Sequence, residues 1–175
     1  INMKVLTVLV PTYNVEKYLR RCLDSLLLPE VLEEIEVLVV NDGSKDGSAD
    51  IARAYEKKYP QTVVFVDKEN GGHGSTINVG IEKAQGTYFK VLDSDDWVNI
   101  GDFIEFVKRL KEETADAVIC DYRKEHVYNG KSEYFEYKDL EDGKKYNLNE
   151  IDLNILHGEY FMMATTTYRT EVLRA

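Results

Sequence analysis

Apolar residues along the first hundred positions fall in short runs of two kinds, some continuous and some spaced at three and four. Val5–Val10 is a compact apolar run that stops at Pro11, the pattern of a buried strand. Tyr18, Leu19, Cys22, Leu23 and Leu26 then recur at helical spacing and predict a helix with one buried face, which Asn14 can cap and Pro29 ends. Val37–Val40 predicts a second strand, closed by Asn41-Asp42-Gly43-Ser44. Ile51, Ala52, Tyr55 and Tyr59 mark a second helix, with Lys57 and Lys58 at its negative end and Pro60 as its stop. Val63–Val66 is a third strand. Asn70-Gly71-Gly72-His73-Gly74 reads as a loop, and Ser75 is placed to cap a helix running to Ala84. Tyr88–Leu92 is a fourth strand, cut off by Asp93-Ser94-Asp95-Asp96, and Asp102–Glu113 reads as a helix.

Strands and helices in strict alternation, with strands that are apolar throughout, predict an α/β fold: a mostly parallel central sheet with helices on both faces. The pattern changes after Ala115. Ala117–Tyr128 reads as one strand, Asn129-Gly130 as a tight turn and Glu133–Tyr137 as the returning strand, giving a C-terminal β-hairpin segment. Residues 138–150 are polar and read as loop. Tyr160–Thr167 predicts a further strand, and Thr170 a cap for a final helix.

Composition narrows the function classes. The 175 residues are 43% apolar and 31% charged, an ordinary globular balance. The formal charge of −10 argues against a broad nucleic-acid surface, but not against a phosphate ligand held through a metal ion. No apolar stretch approaches the roughly 18 residues of a membrane span, so no transmembrane segment is expected in this chain. Cys22 falls on a helical apolar face and Cys120 in a strand-like run, and both read as reduced core residues. The expectation is a cytoplasmic protein, with any attachment to the inner face of a membrane carried by parts outside this chain.

Three predicted strand ends carry polar residues: Thr12-Tyr13-Asn14, Asn41-Asp42-Gly43 and Asp93-Ser94-Asp95-Asp96. In a parallel sheet these lie along one edge, where α/β proteins bind ligands. Three carboxylates within four residues repel one another unless a cation sits among them, and oxygen ligands suit Mg²⁺ or Mn²⁺. A helix start that tolerates acids is the structural alternative. A carboxylate at Asp42 can accept the imide N–H of a uracil ring, and Tyr13 can stack on the base; a turn-forming Asp before Gly is the alternative there. Asn70–Gly74 could turn backbone amides toward phosphate, but it lacks a P-loop lysine, and His73 has no ligand partner at metal-binding spacing. Asp42–Gly47 opens like a calcium EF-hand loop, yet its twelfth position is Arg53 and a strand precedes it, which excludes that reading. The position two after Asp95 is Trp97, which excludes a haloacid-dehalogenase nucleophile pair.

Val10-Pro11-Thr12-Tyr13-Asn14, Val39-Val40-Asn41-Asp42-Gly43-Ser44, Asp46-Gly47-Ser48, Asn78-x-Gly80-Ile81 and Leu92-Asp93-Ser94-Asp95-Asp96-Trp97 stand in the order and spacing of the family-2 glycosyltransferases with the GT-A fold. The chain resembles that family closely over about residues 3 to 113 and loosely beyond. The resemblance implies a site for a nucleoside-diphosphate sugar, with a UDP-sugar expected. Thr12, Tyr13 and Glu16 would border the nucleoside and Asp42 would contact the base. Asp93-Ser94-Asp95 matches the Asp-x-Asp motif: Ser94 lies with the donor, Asp93 near ribose or metal, and Asp95 on the Mn²⁺ or Mg²⁺. The family moves the sugar to an acceptor hydroxyl with inversion, and a saccharide or lipid-linked acceptor of polysaccharide biosynthesis is expected. A non-catalytic nucleotide-binding module of the same fold is the alternative.

The resemblance also implies a carboxylate base in a Glu-Asp-type motif downstream of the Asp-x-Asp. Phe161–Leu173 resembles the stretch just before it, and the Gln-x-x-Arg-Trp motif of processive synthases is absent. The expectation is one domain over residues 3–175, cut short at its C-terminal end, with residues 3–113 as the nucleotide-sugar half and 114–175 as the start of the acceptor half. The base would then lie beyond Ala175 and this piece alone would be inactive. Asp121 and Glu159 are the candidates within the chain.

Overall fold

The computed structural model describes residues 3–150 and 162–175. Its elements are β1 (Leu6–Thr12), α1 (Leu19–Leu26), β2 (Ile35–Asp42), α2 (Ser48–Lys58), β3 (Val63–Lys68), α3 (His73–Lys83), β4 (Tyr88–Val91), α4 (Ile100–Leu110), β5 (Ala117–Ile119), β6 (Tyr122–His126), β7 (Lys131–Phe135), β8 (Thr166–Arg169) and α5 (Thr170–Leu173). Six strands form one sheet in the order β3-β2-β1-β4-β8-β5. The first four run parallel, and β8 is antiparallel to both β4 and β5. The sheet is therefore mostly parallel, as the alternation predicts.

Successive strand residues face opposite sides, so each strand feeds two cores. Leu6, Val8, Val10, Val37 and Val39 pack with Leu19, Leu23, Ile51, Phe103 and Val107 from α1, α2 and α4. Leu9, Leu38, Val40, Phe89 and Val91 pack with Ile77, Val79 and Ile81 of α3 and Leu173 of α5. Covering both faces is what requires Val8–Val10 of β1 and Val37–Val40 of β2 to be apolar without alternation. Each such side chain contributes about 1.5–3 kcal/mol on burial. The register pairs Thr12 with Asn41 and Asp42 with Lys68, which lines the strand ends up along one edge.

Predicted caps fail where the polar side chain finds another partner. Asn14 does not cap α1. It takes the left-handed conformation (φ 51°), and its Oδ1 accepts from the Lys45 amide at 2.8 Å, so it stitches two loops together. Tyr18 stands at the cap position of α1 with no side-chain cap. Ser75 lies inside α3, and its hydroxyl donates to the Gly72 carbonyl at 2.7 Å. Thr170 is the first residue of α5, and its hydroxyl donates to the Gly86 carbonyl at 2.6 Å. The helix predicted from Asp102 starts at Ile100, because Asn99 caps it by accepting from the Asp102 amide.

The single strand expected over Ala117–Tyr128 is two. β5 joins the main sheet beside β8, the Cys120 amide donates to the Thr165 carbonyl, and the chain then leaves to form the separate β6–β7 hairpin. The hairpin loop holds residues 127–130, since His126 pairs with Lys131; Gly130 supplies the positive φ of 68°. The strand predicted over Tyr160–Thr167 is a 3-10 turn (Met163–Thr165) followed by β8, with Tyr160 and Phe161 outside the described residues. Cys22 is buried and Cys120 half-buried, both free thiols. Among the described residues no helix is long and apolar enough to cross a membrane.

Candidate functional site

The carboxyl ends of β1, β2 and β4 and the start of α3 converge at one edge of the sheet. Thr12 is buried and its hydroxyl donates back to the Val10 carbonyl at 3.1 Å, so it shapes the turn rather than presenting a free hydroxyl. The Tyr13 ring beyond it is half exposed. Glu16 ties this loop to the one after β2: its amide donates to Asp46 at 3.1 Å and its carboxylate accepts from the Gly47 amide at 2.7 Å. The Val15 amide adds a bond to the Ser48 hydroxyl at 2.9 Å.

Asp42 is 3% exposed at the end of β2. Its Oδ1 accepts from Lys68 Nζ at 2.6 Å and from the Gly71 amide at 2.8 Å, and its Oδ2 accepts from the Gly72 amide at 2.9 Å. Asn70 Nδ2 donates to the Asp42 carbonyl at 3.0 Å, and Lys68 also donates to the Ser75 hydroxyl at 2.8 Å. One carboxylate thus gathers the Asn70–Gly72 loop and sets where α3 begins. Gly72 takes a φ of 85°, which glycine adopts without steric cost. Burial pushes the Asp42 carboxyl up, but hydrogen bonds from Lys68, Gly71 and Gly72, with the Lys68 charge, outweigh it and hold it below the usual carboxylate range.

A depressed carboxylate contributes stability that is complete above its unfolded pKa of about 3.9 and is lost as pH falls through the lower folded value. Asp42→Asn should therefore reduce thermal stability at neutral pH and shrink the fall in Tm on acidification below about pH 4. Thermal scans from pH 7 to pH 2 check this; an unchanged acid limb would refute it.

Asp93 is half-buried, Ser94 buried, and Asp95 and Asp96 exposed. The Asp96 amide donates to the Asp93 carbonyl at 2.9 Å, which closes a turn and crowds the three carboxylates. Burial first, then the Asp95 and Asp93 charges, push the Asp96 carboxyl up, while Arg21 and Lys90 oppose this. Burial and the same three aspartates push the Cys22 thiol up. The negative charge here is incompletely compensated. His73 stands across from the cluster as the first residue of α3, not in a loop, with Nε2 3.9 Å from Asp93 Oδ1. Spacing could not reveal that partner, since it lies twenty residues away at another strand end.

Among the described residues no group of three or more His, Cys, Asp or Glu side chains is arranged to hold a metal ion. The residues present fit an ion that takes part of its shell from water and a phosphate ligand, as Mg²⁺ and Mn²⁺ do, with Asp93 and Asp95 as hard oxygen donors. Asp121 follows β5, which runs parallel to β4 because both are antiparallel to β8, and at the base of the hairpin its Oδ1 accepts from the Tyr137 amide at 3.1 Å. Glu159 lies outside the described residues.

A mostly parallel sheet with acids beyond its second and fourth strands is the GT-A architecture, and the chain belongs to glycosyl transferase family 2, whose sequence model matches residues 7–170. It is 41% identical over 126 residues to the putative glycosyltransferase EpsH of Bacillus subtilis, covering 72% of this chain and 36% of that protein. The structure of TarS 1–349 from S. aureus superposes with a TM-score of 0.75 at 28% identity, over 97% of this chain and 48% of that one. TarS 1–349 in complex with UDP-GlcNAc superposes with a TM-score of 0.68 at 27% identity, over 97% of this chain and 46% of that one. The chain thus spans less than half the length of these relatives.

Proposed function

We propose that the strand-end cluster binds a nucleoside-diphosphate sugar, with UDP-sugar as the donor, and that the protein transfers the sugar to an acceptor hydroxyl with inversion. The observation that carries this reading is that Asp42 and the Asp93–Asp95 pair stand at one edge of the sheet, the latter beside Asp96, whose carboxyl is pushed up by burial and by their charges. The UDP-GlcNAc complex of the TarS relative supports the donor class. The exposed Tyr13 ring stacks on the base. Asp42 Oδ2, which accepts only the Gly72 amide among the described residues, keeps capacity for a base N–H. Thr12 and Glu16 act by fixing the loop that carries Tyr13, and Ser94 turns the chain between the two metal-side aspartates.

Asp93 and Asp95 would hold Mn²⁺ or Mg²⁺, which when bound neutralises the departing diphosphate. Inversion requires a carboxylate base on the acceptor side, opposite the leaving group. The strand-end acids, committed to the donor, do not take that role; Asp121, just beyond β5, is the candidate among the described residues. The acceptor is a saccharide or a lipid-linked saccharide.

Calorimetry with UDP, GDP, CDP and TDP tests the reading. UDP should bind tightest in Mn²⁺ or Mg²⁺, and at least about tenfold more weakly in EDTA, because a charge-assisted contact is worth about 1.5–3 kcal/mol. Equal binding with and without metal would remove the assigned role of Asp93 and Asp95.

A further inference from the structure

The acidic turn between β4 and α4 is gripped by one face of α1. Three neighbouring α1 residues reach it. The Cys22 thiol donates to the Asp93 carbonyl at 3.8 Å, and the Ser25 hydroxyl accepts from the Val98 amide at 3.2 Å. The Arg21 guanidinium lies over the Trp97 ring, its carbon 3.6 Å from the ring centre. Ser25 is itself fixed by donating to the Cys22 carbonyl at 2.7 Å. The three contacts bracket Ser94–Asp96, holding the turn at its first residue, near its end and where it enters α4. Cys22 and Ser25 are buried, and they anchor the two ends as part of the core. Arg21 is exposed, so its hold on Trp97 is the part of the grip that the core does not require.

We infer that Arg21, stacked on Trp97, is a positioning residue that fixes the Asp93–Asp95 pair for the metal-bound diphosphate. The inference rests on the donor-site reading above. Arg21 bears on the site in two opposed ways. Its charge, beside three carboxylates, competes with an incoming cation, so on charge alone its loss would tighten metal binding. Its stacking restricts the turn, so on geometry its loss would weaken binding by making the ion pay for ordering the carboxylates. The close approach to the ring centre, together with the Cys22 and Ser25 contacts on the same helix face, makes geometry the dominant effect.

Trp97 is the only tryptophan in the chain, so its emission reports this turn directly. The test titrates Mn²⁺ at saturating UDP, following Trp97 emission and calorimetric heat for wild type, Arg21→Met and Arg21→Lys. Met keeps the length of the stem without charge or planar group. Lys keeps the charge and loses the planar group. Both variants should raise the half-saturating Mn²⁺ concentration about threefold to tenfold, the range of a partly exposed cation–π contact. Both should shift metal-free Trp97 emission to the red, and Tm should stay within about 2 °C of wild type, since Arg21 is exposed. Tighter Mn²⁺ binding in Arg21→Met with wild-type behaviour in Arg21→Lys would overturn the inference in favour of charge alone. Wild-type titrations in both variants would overturn it outright. If wild type itself shows no Mn²⁺-dependent UDP binding by calorimetry, the donor-site reading fails first and the inference falls with it.

Discussion

Asp95→Ala is expected to abolish the metal-dependent part of UDP binding and leave the metal-independent part intact, whereas Asp42→Ala should weaken binding with or without metal. The two residues stand at the ends of different strands and do different work. Asp95 is exposed in a turn whose amides and carbonyls are held from α1, so removing its carboxylate takes away the proposed metal ligand without disturbing the fold. Asp42 is buried and holds Lys68, Gly71 and Gly72, so its loss strands a half-buried ammonium and frees the loop that opens α3. A hydrogen bond to a charged group is worth about 1.5–3 kcal/mol, so each substitution should cost roughly 10- to 150-fold in its own affinity. Uridine and UDP titrated calorimetrically, each with Mn²⁺ and with EDTA, separate the two effects. Uridine binding should be sensitive to Asp42 and indifferent to Asp95. If both variants titrate like wild type while folded, the site lies elsewhere.

The sheet was legible because β1 and β2 are buried on both faces, so Val8–Val10 and Val37–Val40 are continuously apolar. The edge that carries the candidate site was legible for a related reason: Thr12, Asp42 and Asp93 stand at or just beyond strand ends that fall together once the strands are parallel. What the sequence hid was the partners of those polar residues. Asp42 next to Gly43 looks like a turn former, yet its carboxylate organises Gly71 and Gly72 nearly thirty residues on. Asn14, Ser75 and Thr170 all have the chemistry of helix caps, yet Asn14 and Thr170 bond residues far along the chain and Ser75 turns back to Gly72 from inside α3. His73 has no ligand neighbour in sequence and faces Asp93 across the sheet edge. β8 was misjudged in extent because its place depends on β5 and β4 closing on either side of it, a long-range pairing with no local signature.

Gly86→Ala is expected to be the most destabilising single methyl that can be added to this fold's glycines. A Cβ at Gly86 would stand 2.3 Å from the Thr7 amide nitrogen and 2.7 Å from the Leu6 carbonyl carbon, both main-chain atoms of β1 that cannot swing aside. The displaced segment also carries a buried network. The Gly86 amide donates to the Thr7 hydroxyl at 2.8 Å, and that hydroxyl donates to Glu36 at 2.9 Å. Glu36 in turn accepts from the Gln85 amide at 3.0 Å, so the clash would loosen buried hydrogen bonds as well as packing. Overpacking costs typically 1–3 kcal/mol and occasionally more; with the network disturbed, about 3 kcal/mol or above is expected, a fall in Tm of roughly 6–12 °C for a domain of this size. Gly74→Ala is the control. A Cβ there meets nothing within 4 Å, and the residue lies in the first turn of α3, so Tm should hold or rise slightly. Gly86 sits before β4, at the sheet edge opposite Asp42 and Asp93, so UDP affinity of the folded Gly86→Ala protein should match wild type at low temperature. Differential scanning calorimetry with low-temperature UDP titration checks both points. An unchanged Tm would show that β1 and the β4 approach can part without cost, and lost UDP binding in the folded variant would show that the two edges of the sheet are coupled.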